Sequence, residues 1–220
     1  MSERTVAIVP IRSLTGGKTR LASVLSVDER RDLIKSMLMQ VTRAALDSDL
    51  LSHVIVISTD PDALEFATTL DSRVSPLRQG AAPGLLASLD QARAEAISSG
   101  STSALILFGD LPLIEPVDVR LLMQATASIV IAPDQRGAGT NALLLRDGAL
   151  SAFAFQFGAN SFHRHVTEAA RLGVTPAISR SPGTLFDLDT PEDWRVLSVS
   201  PVSIVRGESA RALLQEATPR

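Results

Sequence analysis

Ala104-Leu105-Ile106-Leu107-Phe108-Gly109-Asp110-Leu111-Pro112 decides how the rest of the chain is read. An apolar run with no polar face fits a strand buried on both sides of a sheet, and the abrupt Gly-Asp-Leu-Pro leaves one carboxylate at its C-terminal tip. Open α/β sheets bind their ligands at such tips. A lone Gly-Asp would serve equally well to cap a turn. Here a second acidic cluster, Asp187-Leu188-Asp189, also stands between an apolar run and a helix start. Carboxylates meeting across a sheet suit a magnesium ion carrying a nucleoside triphosphate.

Upstream, Thr5 to Ile11 reads as the first strand and runs into Arg12-Ser13-Leu14-Thr15-Gly16-Gly17-Lys18-Thr19-Arg20, a loop with paired glycines and three cations. Amides in such a loop cradle phosphates, and Lys18 and Arg20 offset their charge; solvated turn cations are the alternative. Gly17-Lys18-Thr19 looks like the end of a Walker A loop, but Arg12 stands where that motif needs glycine. No dinucleotide-binding G-x-G-x-x-G follows the strand. Only Lys18 and Lys35 are lysines among 21 basic residues, which draws attention to the one in the glycine loop.

Strand and helix signals alternate from there to Ala125. Ser26-Val27-Asp28-Glu29 forms a capping box before a long amphipathic helix. His53 to Thr59 reads as a strand, with Asp60 either an N-cap for the next helix or a site residue at a strand tip. A short third strand covers Val74 to Leu77, and Gly80-Ala81-Ala82-Pro83-Gly84 is a loop before a further helix. This alternation predicts a mainly parallel sheet. The rhythm then breaks: Ser128–Ala132 and Thr140–Leu145 flank a flexible loop, a hairpin-like insertion suited to a lid or a substrate wall. Phe153, Phe155, Phe157 and Phe162 gather around Phe157-Gly158-Ala159-Asn160-Ser161, either as an apolar anchor or as a small pocket. His163 and His165 fall on different sides of a helix, which argues against a shared metal. Thr190, Pro191 and Asp193 start a helix as N-cap, first-turn proline and capping-box acid, leaving Asp187 and Asp189 unexplained by local structure.

The composition excludes several classes of function. With 45% hydrophobic and 20% charged residues, the 220-residue chain can build one large core. A net charge of −3 gives no basic footprint for nucleic acid. The absence of cysteine rules out thiolate ligands and a cysteine nucleophile. The N-terminus enters a strand without a signal-peptide core, and no apolar segment reaches membrane-spanning length, so a cytoplasmic protein is expected. One nucleotide-handling domain over residues 1–199 is expected, with a tail over 200–220 that carries at most a short helix.

A cationic glycine loop after the first strand and acidic tips on later ones suit nucleotidyl transfer, in which a substrate phosphate attacks an α-phosphorus and pyrophosphate leaves. Against that background Val9-Pro10-Ile11-Arg12, Gly17-Lys18-Thr19-Arg20-Leu21-Ala22, Gly109-Asp110-Leu111-Pro112-Leu113, Ala132-Pro133-Asp134, Gly139-Thr140-Asn141-Ala142-Leu143-Leu144-Leu145, Phe157-Gly158-Ala159-Asn160-Ser161-Phe162 and Leu188-Asp189-Thr190-Pro191-Glu192-Asp193 are found together. In these motifs the chain resembles the guanylyltransferases of deazaflavin coenzyme biosynthesis, which join GMP from GTP to 2-phospho-L-lactate or phosphoenolpyruvate.

The resemblance spans the chain to about Val199. It implies an α/β, single-domain, Rossmann-like nucleotidyltransferase fold with a mainly parallel mixed sheet. It also implies that Asp110 and Asp189, together with Asp187, hold magnesium, and that Lys18 and Arg20 grip the triphosphate alongside Arg12 and Gly17. Thr140, Gly158 and Ser161 would contact the phosphate and carboxylate of the acid. Two positions depart from the family pattern: Arg12 replaces a common lysine, and Leu86 stands near an expected base-reading asparagine. The residues alone also fit nucleotidyl transfer to a molybdopterin or sugar phosphate, a glycosyltransferase using a nucleotide sugar, or a non-catalytic nucleotide sensor.

Overall fold

In the computed structural model, residues 4–199 are described; the expected tail lies outside them. Among these residues one seven-stranded sheet runs in the order β3-β2-β1-β4-β6-β5-β7. Its strands are β1 (Thr5–Pro10), β2 (His53–Ser58), β3 (Val74–Arg78), β4 (Ser103–Leu107), β5 (Ile129–Pro133), β6 (Thr140–Arg146) and β7 (Ala177–Ile178). Parallel pairing joins β3 to β2, β2 to β1 and β1 to β4, and β5 to β7.

β6 is the exception, antiparallel to both neighbours, with Leu105 opposite Leu144 in β4 and Val130 opposite Leu144 in β5. The expected hairpin is therefore present, but it is built into the sheet. All of β5 and β6 is buried, which excludes a lid.

Side chains alternate between the two faces of the sheet and build two cores. On one face Val9, Val56, Leu105 and Leu144 pack under Leu33, Met37 and Val41 of α1 (Val27–Leu46), with α2 (Pro61–Thr68), α4 (Pro116–Gln124) and α8 (Pro191–Val199) alongside. On the other, Ile8, Ile57, Ile106 and Leu143 pack against Leu89 and Ala92 of α3 (Leu85–Ser98). Phe153, Phe155 and Phe157 join that second core with Ala149 of α5 (Asp147–Ala152) and Ala169 of α6 (Ser161–Arg171). The aromatic cluster is thus mainly core. A short α7 (Pro182–Leu185) leads back to the acidic segment before α8.

The capping signals read from the sequence are all formed. Ser26 and Glu29 exchange their bonds at the start of α1. Thr190 and Asp193 do the same before α8, where the Asp193 carboxylate also accepts from the Asp189 amide. This last bond anchors the Asp189 backbone at the start of α8.

Candidate active site

The strand order reverses between β1 and β4: the chain builds β2 and β3 on one side of β1, then crosses to β4 on the other. Such a switch point splays the loops at the strand ends and opens a crevice. A cavity of about 840 Å³ lies there. Arg12, Gly17, Lys18 and Arg20 line it from the loop after β1, Gly109 and Asp110 from the tip of β4, and Asp189 from the segment before α8.

The glycine loop is held from below. Leu14 and Leu21 are buried, and Lys18 opens a 3-10 turn over Thr19–Ser23. Gly17 has no room for a side chain, since a Cβ would stand 2.7 Å from Ile34 Cδ1 and 2.9 Å from the Ser13 carbonyl oxygen. Lys18 adopts a left-handed backbone (φ 51°), a conformation that costs a non-glycine residue about 1–2 kcal/mol. The loop's first turn closes on the Ser13 hydroxyl oxygen, which accepts from the Thr15 and Gly16 amides. Ser13 in turn donates to Asp60 (2.8 Å), and the Leu14 amide donates to the same carboxylate oxygen.

Asp60 also caps α2 through the Asp62 amide, so it is an N-cap that anchors the glycine loop from outside the cavity lining. Burial pushes its carboxyl pKa up, but the donors from Leu14, Ser13 and Asp62 prevail and hold it below the usual aspartate value.

Across the cavity the Lys18 ammonium bridges the two acidic clusters, 2.8 Å from Asp110 Oδ2 and 2.6 Å from Asp189 Oδ1. Burial alone would lower its pKa; the two carboxylates outweigh that and raise it above the ordinary lysine value. The clusters are also stitched together by the backbone, the Leu188 amide donating to the Asp110 carbonyl. Asp187 lies just behind, outside the cavity lining, and Asn141 Nδ2 donates to it at 3.4 Å. Burial first, then the negative charge of Asp110, push the Asp187 carboxyl up.

Three carboxylates and one ammonium sum to −2, a charge that a divalent cation complements. Among the described residues no three acidic or imidazole groups converge into a cage. A magnesium ion that takes one or two carboxylates and completes its shell with phosphate oxygens needs no such cage. Asp110 and Asp189, both within reach of the Lys18 ammonium, are the carboxylates that could supply such ligands, with Asp187 behind them.

Thr140, Gly158 and Ser161 do not line this cavity; they form a neighbouring cluster. The Phe162 amide donates to the Ala138 carbonyl, which brings the start of α6 against the β5–β6 turn. Gly158 (φ 121°) and Asn160 (φ 55°) bend the chain there in left-handed conformations. Phe108, on the cavity wall, packs edge-on against Phe157, and Asn141 links Thr140 to Asp187. The two histidines separate as expected: His163 is exposed and His165 is fully buried.

The far end of the cavity went unread in the sequence. Gln79, Gly80, Gly84, Leu85 and Ser88 line it. The Gln79 side chain donates to the Ala82 and Gly84 carbonyls, and the Gln91 side chain accepts from the Gly80 amide and donates to the Arg78 carbonyl. Leu86, by contrast, is an exposed residue outside the lining. Only the loop residues Gly80 to Gly84 gave a sequence signal, and that signal indicated a turn rather than a wall.

A crevice at the switch point of a mostly parallel sheet, with a cationic glycine loop facing acidic strand tips, makes the chain a nucleotidyltransferase. Solved structures share the fold. A nucleotidyl transferase from Methanothermobacter thermautotrophicus superposes with a TM-score of 0.62 at 19% identity, covering 89% of this chain and 96% of that one. A 4-diphosphocytidyl-2C-methyl-D-erythritol synthase does so with a TM-score of 0.64 at 14% identity, over 90% and 97%.

The chain belongs to the Guanylyl transferase CofC-like family, whose model matches residues 5–201. It is 42% identical over 198 residues to the phosphoenolpyruvate guanylyltransferase of Rubrobacter xylanophilus, covering 88% of this chain and 93% of that protein. It is 36% identical over 192 residues to the 2-phospho-L-lactate guanylyltransferase of Methanothermobacter thermautotrophicus, covering 86% and 82%. The substrates are therefore a nucleotide and a phosphorylated acceptor. No helix among the described residues is long and apolar enough to cross a membrane.

Proposed function

We propose that the chain transfers GMP from GTP to phosphoenolpyruvate and releases pyrophosphate, as a step in deazaflavin coenzyme biosynthesis. The observation that carries this reading is the Lys18 bridge between Asp110 and Asp189 at one end of a nucleotide-sized cavity. The choice of phosphoenolpyruvate over 2-phospho-L-lactate rests on the relative from Rubrobacter xylanophilus.

The triphosphate lies along the loop after β1. Lys18, Arg12 and Arg20 hold its outer phosphates together with the amides of Gly17 and Lys18, so charge building on departing pyrophosphate meets fixed cations. Guanine reaches the far end, where the backbone of residues 79–84 is held still by Gln79 and Gln91 and Leu85 supplies an apolar surface. Asp110 and Asp189, backed by Asp187, would hold a magnesium ion, whose chemistry there would be to offset phosphate charge. Thr140, Gly158 and Ser161 hold the acid so that its own phosphate oxygen attacks; the bond to the β-phosphate bridging oxygen then breaks. No residue forms a covalent intermediate.

Pyrophosphate release from GTP and magnesium, run with phosphoenolpyruvate, with 2-phospho-L-lactate and with no acceptor, tests the reading. Release that requires phosphoenolpyruvate is expected. Release with 2-phospho-L-lactate alone changes the acceptor, and none with either acid overturns the assignment.

A further inference from the structure

His165 does no work in the reaction as described, yet it is a buried imidazole with both ring nitrogens engaged. The Gln156 backbone N–H donates to Nε2 at 3.0 Å, which leaves the lone pair on Nε2. In a neutral ring the proton must then reside on Nδ1. Nδ1 lies 2.9 Å from Thr140 Oγ1, so the imidazole donates and the hydroxyl oxygen accepts. Phe153 and Phe157 pack against the ring at 5.6 and 4.5 Å between centroids, and a flipped ring would turn carbons toward both the Gln156 amide and the Thr140 hydroxyl. Thr140 is therefore left with its own hydroxyl proton to give, and among the described residues no acceptor takes it.

We infer that His165 is a positioning residue for the acceptor, fixing the Thr140 hydroxyl as a donor to an anionic oxygen of a phosphorylated carboxylic acid. The inference rests on the acceptor site proposed above. Burial lowers the His165 pKa to about 4, so the ring stays neutral and this polarity is constant through the working pH range. A protonated ring would break the Gln156 bond.

The test separates the two ring nitrogens in the full-length protein. In His165→Asn the side-chain amide replaces Nδ1 and keeps a donor for Thr140. His165→Gln instead places its amide near the Nε2 position, and Thr140→Val removes the hydroxyl. Loss of a hydrogen bond to a charged oxygen predicts that His165→Gln and Thr140→Val raise KM for phosphoenolpyruvate roughly tenfold or more. KM for GTP should hold, and His165→Asn should stay near the parent.

If all the variants lower the melting temperature and leave the acceptor KM unchanged, His165 is structural only and the inference falls. Calorimetric binding of phosphoenolpyruvate is measured in parallel. A parent that binds the acid without turnover overturns the proposed reaction, and the inference is then decided by whether His165→Gln weakens that binding. A parent that binds neither acid overturns both.

Discussion

Replacing Gly17 by alanine isolates the role of the glycine loop. The new methyl would stand 2.9 Å from the Ser13 carbonyl oxygen, where ordinary contact begins at 3.4 Å, so the loop must open by about half an ångström. The second obstacle, Ile34 Cδ1 at 2.7 Å, is the flexible end of a side chain and can yield. A displacement of about 1 Å in a positioning element costs about a hundredfold, so half of it predicts a fall in kcat/KM for GTP of about tenfold, or about 1.4 kcal/mol.

Stability should fall by roughly 1–3 kcal/mol from overpacking, measured by urea unfolding. Adding Ile34→Val clears one of the two obstacles and should recover part of that stability. Activity should not return, because the Ser13 carbonyl still blocks the methyl. Pyrophosphate release at varied GTP supplies the kinetic readout. An unchanged kcat/KM in Gly17→Ala, or its full return in the double variant, would refute the assignment of this backbone to the triphosphate.

Asp110→Asn should lower pyrophosphate release by about 10²–10³-fold, with a melting temperature close to the parent's, since the side chain is half-buried and points into the cavity; retained turnover would remove it from the metal site. Lys18→Met leaves Asp110 and Asp189 facing one another without their cation, so magnesium alone should raise its melting temperature more than it raises the parent's. His165 is neutral in the fold with its pKa lowered to about 4, against 6.5 unfolded. Below pH 6.5 the unfolded chain therefore binds the extra proton, and stability falls from there to about pH 4 by about 3 kcal/mol. Urea titrations across that window should show a shallower loss in His165→Asn.

The sequence carried local structure well wherever one residue answers another within a turn. Ser26 with Glu29 and Thr190 with Asp193 formed their caps, and the apolar run ending at Leu107 formed a strand with both faces covered. Strand order was out of reach, because the pattern of β5 and β6 is the same whether the hairpin lies at an edge or in the middle of a sheet. The Lys18 bridges span 92 and 171 positions, and only the closed crevice brings them together. The sequence left Asp60 open between N-cap and site residue because one of its oxygens is an N-cap, while the other reaches Ser13 across 47 positions. The loop of residues 79–84 presents backbone and apolar surface, which leave no chemical signature in a sequence.

The antiparallel β6 has a consequence for the chain as it emerges from the ribosome. β1 to β4 can form a four-strand parallel unit while β6 has yet to emerge, and in that interval the partner of β4 is not available. Ser103–Leu107 then presents a naked row of amides and carbonyls flanked by Leu105, Ile106 and Leu107, the kind of edge that recruits strands from other nascent chains. Slower synthesis prolongs that exposure. The faster Thr140–Arg146 follows β4 into the sheet, the shorter that exposure lasts, a kinetic burden invisible in the finished molecule, where this edge is sealed.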